Sequence, residues 1–230
     1  MDKPQDTMTN DGDGHSPGYR DEYRRLFIRP GYRGQNHLAL IVAICLSVCV
    51  FSGLSLREVQ PLEWLAIPLT FLYANLAEYL GHRFVMHRRR PLLGLVYERH
   101  TRQHHRFFTD QAMQMEHLND LRAILFPPVL LIFFFTAFAL PAGLLLAWLF
   151  SANVAWLFVM TAIAYYLSYE LLHLSYHLPL NSRVLKIPGM MRLRELHLSH
   201  HDPKVMSHAN FNITWPICDW LFRTRVAAEK

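Results

Sequence analysis

The sequence predicts an all-α integral membrane protein with about four transmembrane helices and a cytoplasmic helical cap rich in histidine. Three observations support this. The 230-residue chain is 52% hydrophobic, residues 123–169 contain no charged side chain, and ten of the fourteen histidines fall into four tight groups. Uncharged stretches of about 18 residues or more are typical of membrane spans. An ordinary soluble globular protein is therefore excluded.

The chain begins with a polar segment, residues 1–36, that is rich in Asp, Arg and Gly. It lacks the short apolar core of a cleavable signal, so we expect a disordered or surface-lying tail. Its arginines Arg24, Arg25 and Arg29 are equally compatible with solvent and with lipid headgroups. Residues 37–230 are predicted to form one membrane domain.

Four apolar stretches predict four spans. The last two are separated at Pro141-Ala142-Gly143, because the uncharged run is too long for one crossing and Pro and Gly punctuate helices. The predicted spans are residues 38–56, 62–80, 123–140 and 144–169.

Lysine and arginine set the predicted orientation. With four spans, twenty-two of the twenty-three basic residues share one side, and only Arg57 lies on the other. The positive-inside rule then places the histidine groups and both termini in the cytoplasm. The membrane would be the inner membrane of a bacterium or the endoplasmic reticulum of a eukaryote. Three or five spans would split the histidine groups across the bilayer.

The grouped histidines recur at helical spacings. Side chains four residues apart lie on the same face of a helix. His82 and His87 are five apart, so they need a local distortion of the helix to converge, and Gly81 makes one plausible. Three pairs have the four-residue spacing: His100 with His104, His173 with His177, and His197 with His201.

The number of histidines suits more than one metal ion. Neutral imidazole is a good ligand for Fe, Zn, Cu and Ni, and two ions with about five histidines each would use all ten. Of the histidines outside the groups, His15 and His37 are expected to be incidental. His117 and His208 are expected to lie on the surface, with a position at the substrate entrance as the alternative for either one.

Three carboxylates lie near these groups or near the C-terminus. A metal-bound imidazole usually donates its other N–H to an acceptor, and charged groups in or beside a span tend to be functional. Each carboxylate is therefore a candidate acceptor for a bound histidine, and Glu78 and Glu170 are equally compatible with a plain interfacial position. The candidates are Glu78, Glu170 and Asp219.

The set HxxxxH, HxxxHH, HxxxH and HxxHH resembles the membrane fatty acid hydroxylase/sterol desaturase superfamily over about residues 62–225. The C-terminal stretch from Asn210 to Thr224 is also similar, although Asn212 and Arg223 stand where the family has glycine. The resemblance implies a non-haem di-iron centre that uses O₂ to hydroxylate a C–H bond of a fatty acyl chain, sterol or related lipid. The ligands it implies are His82, His87, His100, His104, His105, His173, His177, His197, His200 and His201.

The cofactor implied is a pair of iron ions with O₂ as co-substrate, and zinc can replace iron during purification because its intrinsic affinity is higher. Three alternatives remain: desaturation at the same site, a histidine-rich metal transporter, and a bis-histidine haem protein.

The sequence contains no nucleotide-binding fingerprint and no haem or iron–sulfur ligand set. Electrons are therefore expected from an external ferredoxin or cytochrome b5-type carrier and its reductase. Arg88-Arg89-Arg90, Arg192 and Arg194 would face an acidic carrier. The predicted membrane orientation already accounts for the excess of basic over acidic residues, so the sequence implies no nucleic acid partner.

Overall fold

The structure, a computed structural model, describes residues 18–226, and within this range it contains helices and no strands. The all-α prediction is confirmed for these residues. The α-helices are α1 Tyr19–Phe27, α2 Gly34–Leu54, α3 Ala66–Gly81, α4 Gly94–Tyr97, α5 His105–Phe107, α6 Leu121–Ile124, α7 Pro128–Phe134, α8 Leu140–Leu149, α9 Ala152–Tyr176, α10 Met190–His200 and α11 Ile217–Leu221. Turns of 3₁₀ helix span Glu63–Leu65, Leu118–Asp120 and Val184–Lys186, and π-helical turns span His82–Met86, Glu98–His104 and Phe135–Ala139.

Within residues 18–226, three stretches are long and apolar enough to cross a membrane: Gly34–Leu54, Leu118–Leu149 and Ala152–Tyr176. Their outer faces carry large apolar side chains that the protein leaves uncovered, such as Leu54 and Trp148, which are 81% and 80% exposed. Apolar surface of this extent requires a lipid or protein partner. The structure is therefore that of a membrane protein.

The second predicted span corresponds to α3, which has 16 residues. That length is about 24 Å, shorter than the roughly 30 Å hydrocarbon core, and a 3₁₀ turn and a π-helical turn extend α3 at its two ends. At the first end, the Asn153 amide donates to the carbonyl oxygen of Arg57 (2.8 Å) and to the Glu63 carboxylate (2.9 Å). These bonds bring the start of α9 to the loop that joins α2 to α3. Four spans and their cytoplasmic side stay predictions.

The predicted break at Pro141-Ala142-Gly143 is wrong, because these residues lie inside α8. Pro141 is tolerated in the first turn of α8, where the preceding π-helical turn already interrupts the regular hydrogen-bond ladder. The chain reverses at Phe150 and Ser151 instead. The Ser151 hydroxyl accepts a hydrogen bond from the Val154 amide at 3.2 Å and caps α9.

Residues 1–17 of the predicted disordered tail lie outside the described residues, and the rest of it differs from the prediction. Tyr19–Phe27 forms α1, and Tyr19 and Tyr23, one turn apart, are buried on the same face. Arg24, assigned by sequence to solvent or headgroups, pairs with the fully buried Asp120 at 2.9 Å. This helix therefore packs against the domain.

Helix α9 is central, since it packs against α2, α3 and α8. The C-terminal end of α3 leads into the π-helical turn His82–Met86, and further histidines lie in the π-helical turn Glu98–His104, in α5 and in α10. Together with the C-terminal end of α9, these segments bring the grouped histidines together.

Candidate metal centre

The ten grouped histidines converge into two sets of five, in agreement with the predicted number for each ion. Within each set, one ring nitrogen from every histidine lies within 4.8 Å of the others. Nine of the ten side chains are buried, and His87 is partly buried. The first set is His82, His87, His100, His105 and His200, and the second set is His104, His173, His177, His197 and His201.

A π-helical turn brings His82 and His87 together. The His87 amide donates to the carbonyl oxygen of His82 at 3.3 Å, which adds a residue to the turn, and the two Nε2 atoms lie 3.1 Å apart. A pair five residues apart diverges on a regular α-helix but converges on a π-helical turn, a feature frequent at functional sites. The predicted distortion is confirmed.

The second π-helical turn supplies ligands to both sets. His100 lies close to His105, five residues on, with Nε2 atoms 3.0 Å apart, and His104 belongs to the second set. The prediction that His100 and His104 lie on the same face is confirmed, since their rings stack with centres 5.4 Å apart. The other two pairs with the four-residue spacing each lie within one set: His173 with His177 and His197 with His201.

Backbone carbonyl groups fix the orientation of five rings. A carbonyl oxygen only accepts, so each of these rings carries its proton on Nδ1 and leaves a lone pair on Nε2. The Nδ1–carbonyl pairs are His82 with Phe211 (2.5 Å), His104 with Ala123 (3.0 Å), His177 with Met113 (2.9 Å), His200 with Ala209 (2.9 Å) and His201 with Phe108 (2.6 Å).

These tautomers leave the facing Nε2 atoms unable to bond one another. His104 and His201 place their Nε2 atoms 3.2 Å apart, and both atoms carry lone pairs. A cation between such atoms removes the repulsion. When each metal–nitrogen bond is about 2.1 Å long, two ligand nitrogens that subtend a right angle at the ion lie about 3.0 Å apart. Neighbouring Nε2 atoms here lie between 2.8 and 3.4 Å apart, so both sets fit a transition-metal ion.

Burial keeps the ligands neutral. Desolvation, assisted by the neighbouring imidazoles, lowers the pKa of His87 to about 2. Desolvation lowers the pKa of His200 to about 4. Metal ligation requires neutral imidazole. At neutral pH these rings are already neutral, so they can bind a metal ion without first losing a proton.

The three candidate carboxylates lie one layer further out. Among the described residues, they accept hydrogen bonds from backbone amides, hydroxyl groups and the Asn212 side-chain amide, not from the histidines. Asp219 accepts from the amides of Phe211 (3.0 Å) and Asn212 (2.6 Å), and the Phe211 carbonyl in turn accepts from His82. Asp219 therefore orients a ligand indirectly.

Glu78 and Glu170 also order backbone. Glu78 accepts from the amides of Ile213 (2.5 Å) and Thr214 (3.0 Å). Glu170 accepts from the amide of Phe126 at 3.3 Å. The sequence interpretation overlooked the acceptors that do contact the ligands, because a backbone carbonyl has no residue signature.

Asn212 and Arg223, which stand where the resembled family has glycine, fit the C-terminal turn in different ways. Arg223 adopts φ +56°, the left-handed region that favours glycine. Asn212 instead uses its side chain, since its oxygen accepts from the amides of Cys218 (3.1 Å) and Asp219 (3.2 Å). The C-terminal turn therefore forms without glycine at these two positions.

A cavity of about 420 Å³ is walled mainly by apolar side chains, and none of the ten grouped histidines lines it. Its wall includes Gly81 and Met86, the sequence neighbours of His82 and His87, and Tyr169, one turn before His173. The wall continues along the candidate membrane-spanning helices to Phe134, Phe138, Phe158 and Ala162. Phe138 is 54% exposed.

Comparisons with known proteins agree with this arrangement. A solved structure described as full-length Scs7p, with only the hydroxylase domain visible, superposes with a TM-score of 0.61 at 21% identity, covering 84% of this chain and 68% of that one. This likeness concerns the fold. A comparison with curated proteins gives no match. The family model for fatty acid hydroxylase matches residues 67–224, more than half of the chain, so the chain belongs to the fatty acid hydroxylase family.

Proposed function

We propose that this protein is a membrane-bound, O₂-dependent hydroxylase of lipid C–H bonds with a di-iron centre held by its ten clustered histidines. The observation that carries the proposal is the convergence of ten histidines into two sets of five, on segments that also contribute to the wall of an apolar cavity along the candidate membrane-spanning helices. The family of the chain supports the same reaction.

Iron is proposed from the donor set and the family together. Each set offers five imidazoles with neither thiolate nor carboxylate, a combination that suits Fe, Zn, Cu or Ni. When bound, a pair of iron ions supplies the reduction of O₂ and the insertion of one oxygen atom into a C–H bond. Zinc fits the same imidazoles, so zinc in a purified sample would not identify the working metal.

The protein contributes rigid orientation and exclusion of water. Hydrogen bonds to backbone carbonyls hold five of the rings in one tautomer. Nine of the ten rings are buried and His87 is partly buried, so bulk water would be kept away from the proposed ions. The apolar wall of the cavity suits the hydrocarbon chain of a lipid, because transfer of that chain from the bilayer interior exposes no apolar surface to water.

Electrons are proposed to come from an external acidic ferredoxin or cytochrome b5-type carrier and its reductase. Arg88, Arg89, Arg90 and Arg192 are exposed on the cap and suit such a partner. Arg194, which the sequence grouped with them, is buried and donates to the carbonyl oxygen of Tyr176 at 3.1 Å. Its role is structural, because a residue on the inner face of α10 cannot meet a carrier.

The test is oxygen incorporation by the iron-loaded full chain in lipid vesicles, supplied with a carrier, its reductase and ¹⁸O₂. We expect a lipid product that has gained one ¹⁸O atom, and no product without the carrier. A product that has lost two hydrogens without gaining ¹⁸O would indicate desaturation. The His104→Ala variant is the matched control, and product formation by that variant would contradict the proposed site.

A further inference from the structure

Residues 211–222, called here the re-entrant segment, turn back along α3 and α9. The ring centre of Trp215 lies 5.0 Å from that of Phe71 in α3 and 6.0 Å from that of Tyr165 in α9. Tyr165 precedes His173 by about two turns of α9, a distance of about 12 Å along the helix axis. Trp215 is therefore level with the middle of this candidate span, deeper along α9 than the second histidine set.

The polar groups of the re-entrant segment are bonded within the protein. Its first four residues are buried, and their backbone amides, Phe211–Thr214, donate to the carboxylates of Asp219 and Glu78. The side-chain amide of Asn75 donates to the carbonyl oxygen of Trp215 at 2.8 Å. Backbone outside regular helices is tolerated at membrane depth only where the protein buries it and satisfies its polar groups. This part of the chain is therefore suited to lie within the bilayer.

The end of the re-entrant segment, α11, runs along α3 toward the C-terminal end of that helix. The Cys218 amide donates to the Asn75 side chain at 3.3 Å. Four residues further along both chains, the ring centre of Phe222 lies 5.0 Å from that of Tyr79. Because the histidine sets begin just beyond Tyr79, α11 ends near the same end of the helical bundle as the metal centre.

The outer face of α11 changes from apolar to basic at its end. Trp220 is 73% exposed, and Leu221 and Phe222 are also exposed. Arg223 and Arg225 follow, both exposed, and neither forms an ion pair within residues 18–226. At a membrane interface, aromatic rings lie at the level of the headgroups and arginine side chains extend to the phosphates. The order of these side chains matches that environment.

Arg223 gives a second indication of a basic site. Its φ of +56° lies in the region that favours glycine, so an arginine is retained there at a cost in backbone energy. Arg223, Arg225 and Trp220 border a recess of about 530 Å³. Asp219 also borders it, but the carboxylate of Asp219 is engaged by backbone amides. An anion with an apolar tail would contact both the guanidinium groups and the neighbouring ring.

We propose that the re-entrant segment is a lipid-binding element that places Trp220, Leu221 and Phe222 against acyl chains and binds the phosphate of an anionic phospholipid through Arg223 and Arg225. Charge complementarity favours an anionic headgroup. Lipid fits better than a water-soluble partner, because the segment lies along α3 and α9 below the level of the histidine sets. The proposal is independent of the reaction at the metal centre.

Quenching of Trp220 fluorescence by brominated lipids tests the proposal. The full chain is reconstituted in phosphatidylcholine vesicles that contain the same small fraction of brominated lipid, either phosphatidylglycerol or phosphatidylcholine. The emission of Trp220 is the difference between wild-type protein and the Trp220→Phe variant, which retains an aromatic ring. At low salt we expect both lipids to quench this emission, with a relative binding constant of about five in favour of phosphatidylglycerol.

A double variant, Arg223→Gly with Arg225→Gln, removes both charges, and glycine suits the left-handed backbone at the first position. Measured against its own Trp220→Phe counterpart, it should keep its metal content and its quenching by brominated phosphatidylcholine but lose the preference. Arg57→Gln is the matched control, since Arg57 is exposed in the loop at the other end of α3, and it should keep the preference.

Three results would overturn the proposal. If neither brominated lipid quenches Trp220, the segment faces water or is covered by another protein, such as a second copy of this chain. Equal quenching by the two lipids in wild-type protein would show that the arginines bind no anionic headgroup. A preference that survives in the double variant would show that other residues select the lipid.

Discussion

His105 and His201 stack with ring centres 4.2 Å apart and an interplanar angle of 25°, although they belong to different histidine sets. Their contact places the two sets next to each other. The neighbours His104 and His105 belong to different sets, as do His200 and His201. The two sets therefore share two segments of the chain, residues 100–105 and residues 197–201.

Replacing His104 or His200 with alanine should reduce metal content and abolish hydroxylation. His104 belongs to the second set and His200 to the first, so each variant removes one of five ligands from a different site. We expect each variant to hold at most about half of the wild-type metal, while it still inserts in the membrane. Metal analysis of the purified variants and product analysis check this.

His208→Ala is the matched control, since His208 is exposed and bonds to the Ser207 hydroxyl, outside both sets. It should retain metal and activity. Wild-type metal content in His104→Ala or His200→Ala would contradict the assignment of these ligands.

The ion pair between Arg24 and Asp120 should stabilise the fold. Asp120 is fully buried, and Arg24 donates to both of its carboxylate oxygens at 2.9 Å. Arg24→Ala leaves a buried charge without its partner, which costs about 3 kcal/mol. We expect a lower thermal unfolding midpoint in detergent.

The neighbouring Arg25 is exposed, so Arg25→Ala should unfold within about 0.5 kcal/mol of wild type. Equal midpoints for the Arg24 and Arg25 variants would show that α1 does not contribute to the stability of the folded domain.

The metal-free protein should lose stability in mild acid. Histidine in the unfolded chain titrates near pH 6.5, whereas burial lowers the pKa of His200 to about 4 and that of His87 to about 2 in the folded state. Below about pH 6.5 the unfolded chain therefore binds protons that the folded chain does not, and stability falls as the pH decreases toward about 4. Above about pH 6.5 these groups are mostly neutral in both states and contribute little to the pH dependence.

Thermal unfolding of chelator-treated protein at about pH 7.5 and about pH 5 tests this linkage. The midpoint should be lower at the acid pH, and His200→Gln should reduce the difference. A midpoint that is independent of pH across this range would count against neutral, buried ligands.

Topology reporters test the side on which the centre lies. Reporters inserted near Gly94 and fused after Lys230 should both indicate the cytoplasm, since the predicted four-span topology places twenty-two of the twenty-three basic residues on that side. A reporter at Ser151, where the chain reverses, should indicate the opposite side. Opposite locations for the first two reporters would contradict the four-span topology.

The histidine spacings predicted most of the site, because helical period alone relates His173 to His177 and His197 to His201. The division of His100, His104 and His105 between the two sets was not predictable from that period, since π-helical turns have no strong residue signature. The reversal of the chain at Phe150 and Ser151 was not predicted for a related reason. Pro141 reads as a break, but it lies in the first turn of α8, after a π-helical turn, where its missing N–H costs little.

Helix α1 was assigned to a disordered tail because its charges dominate its composition. The spacing of Tyr19 and Tyr23 is a signal for one buried face, but it covers too short a segment to outweigh three arginines in nine residues. The buried partner of Arg24 lies 96 residues away, and no local pattern identifies such a contact.

The most direct test of the di-iron assignment is anomalous scattering at the iron edge from crystals of the iron-loaded protein. The account predicts two peaks in each chain, one among His82, His87, His100, His105 and His200, and one among His104, His173, His177, His197 and His201. A single peak, or peaks outside these two sets, would contradict it.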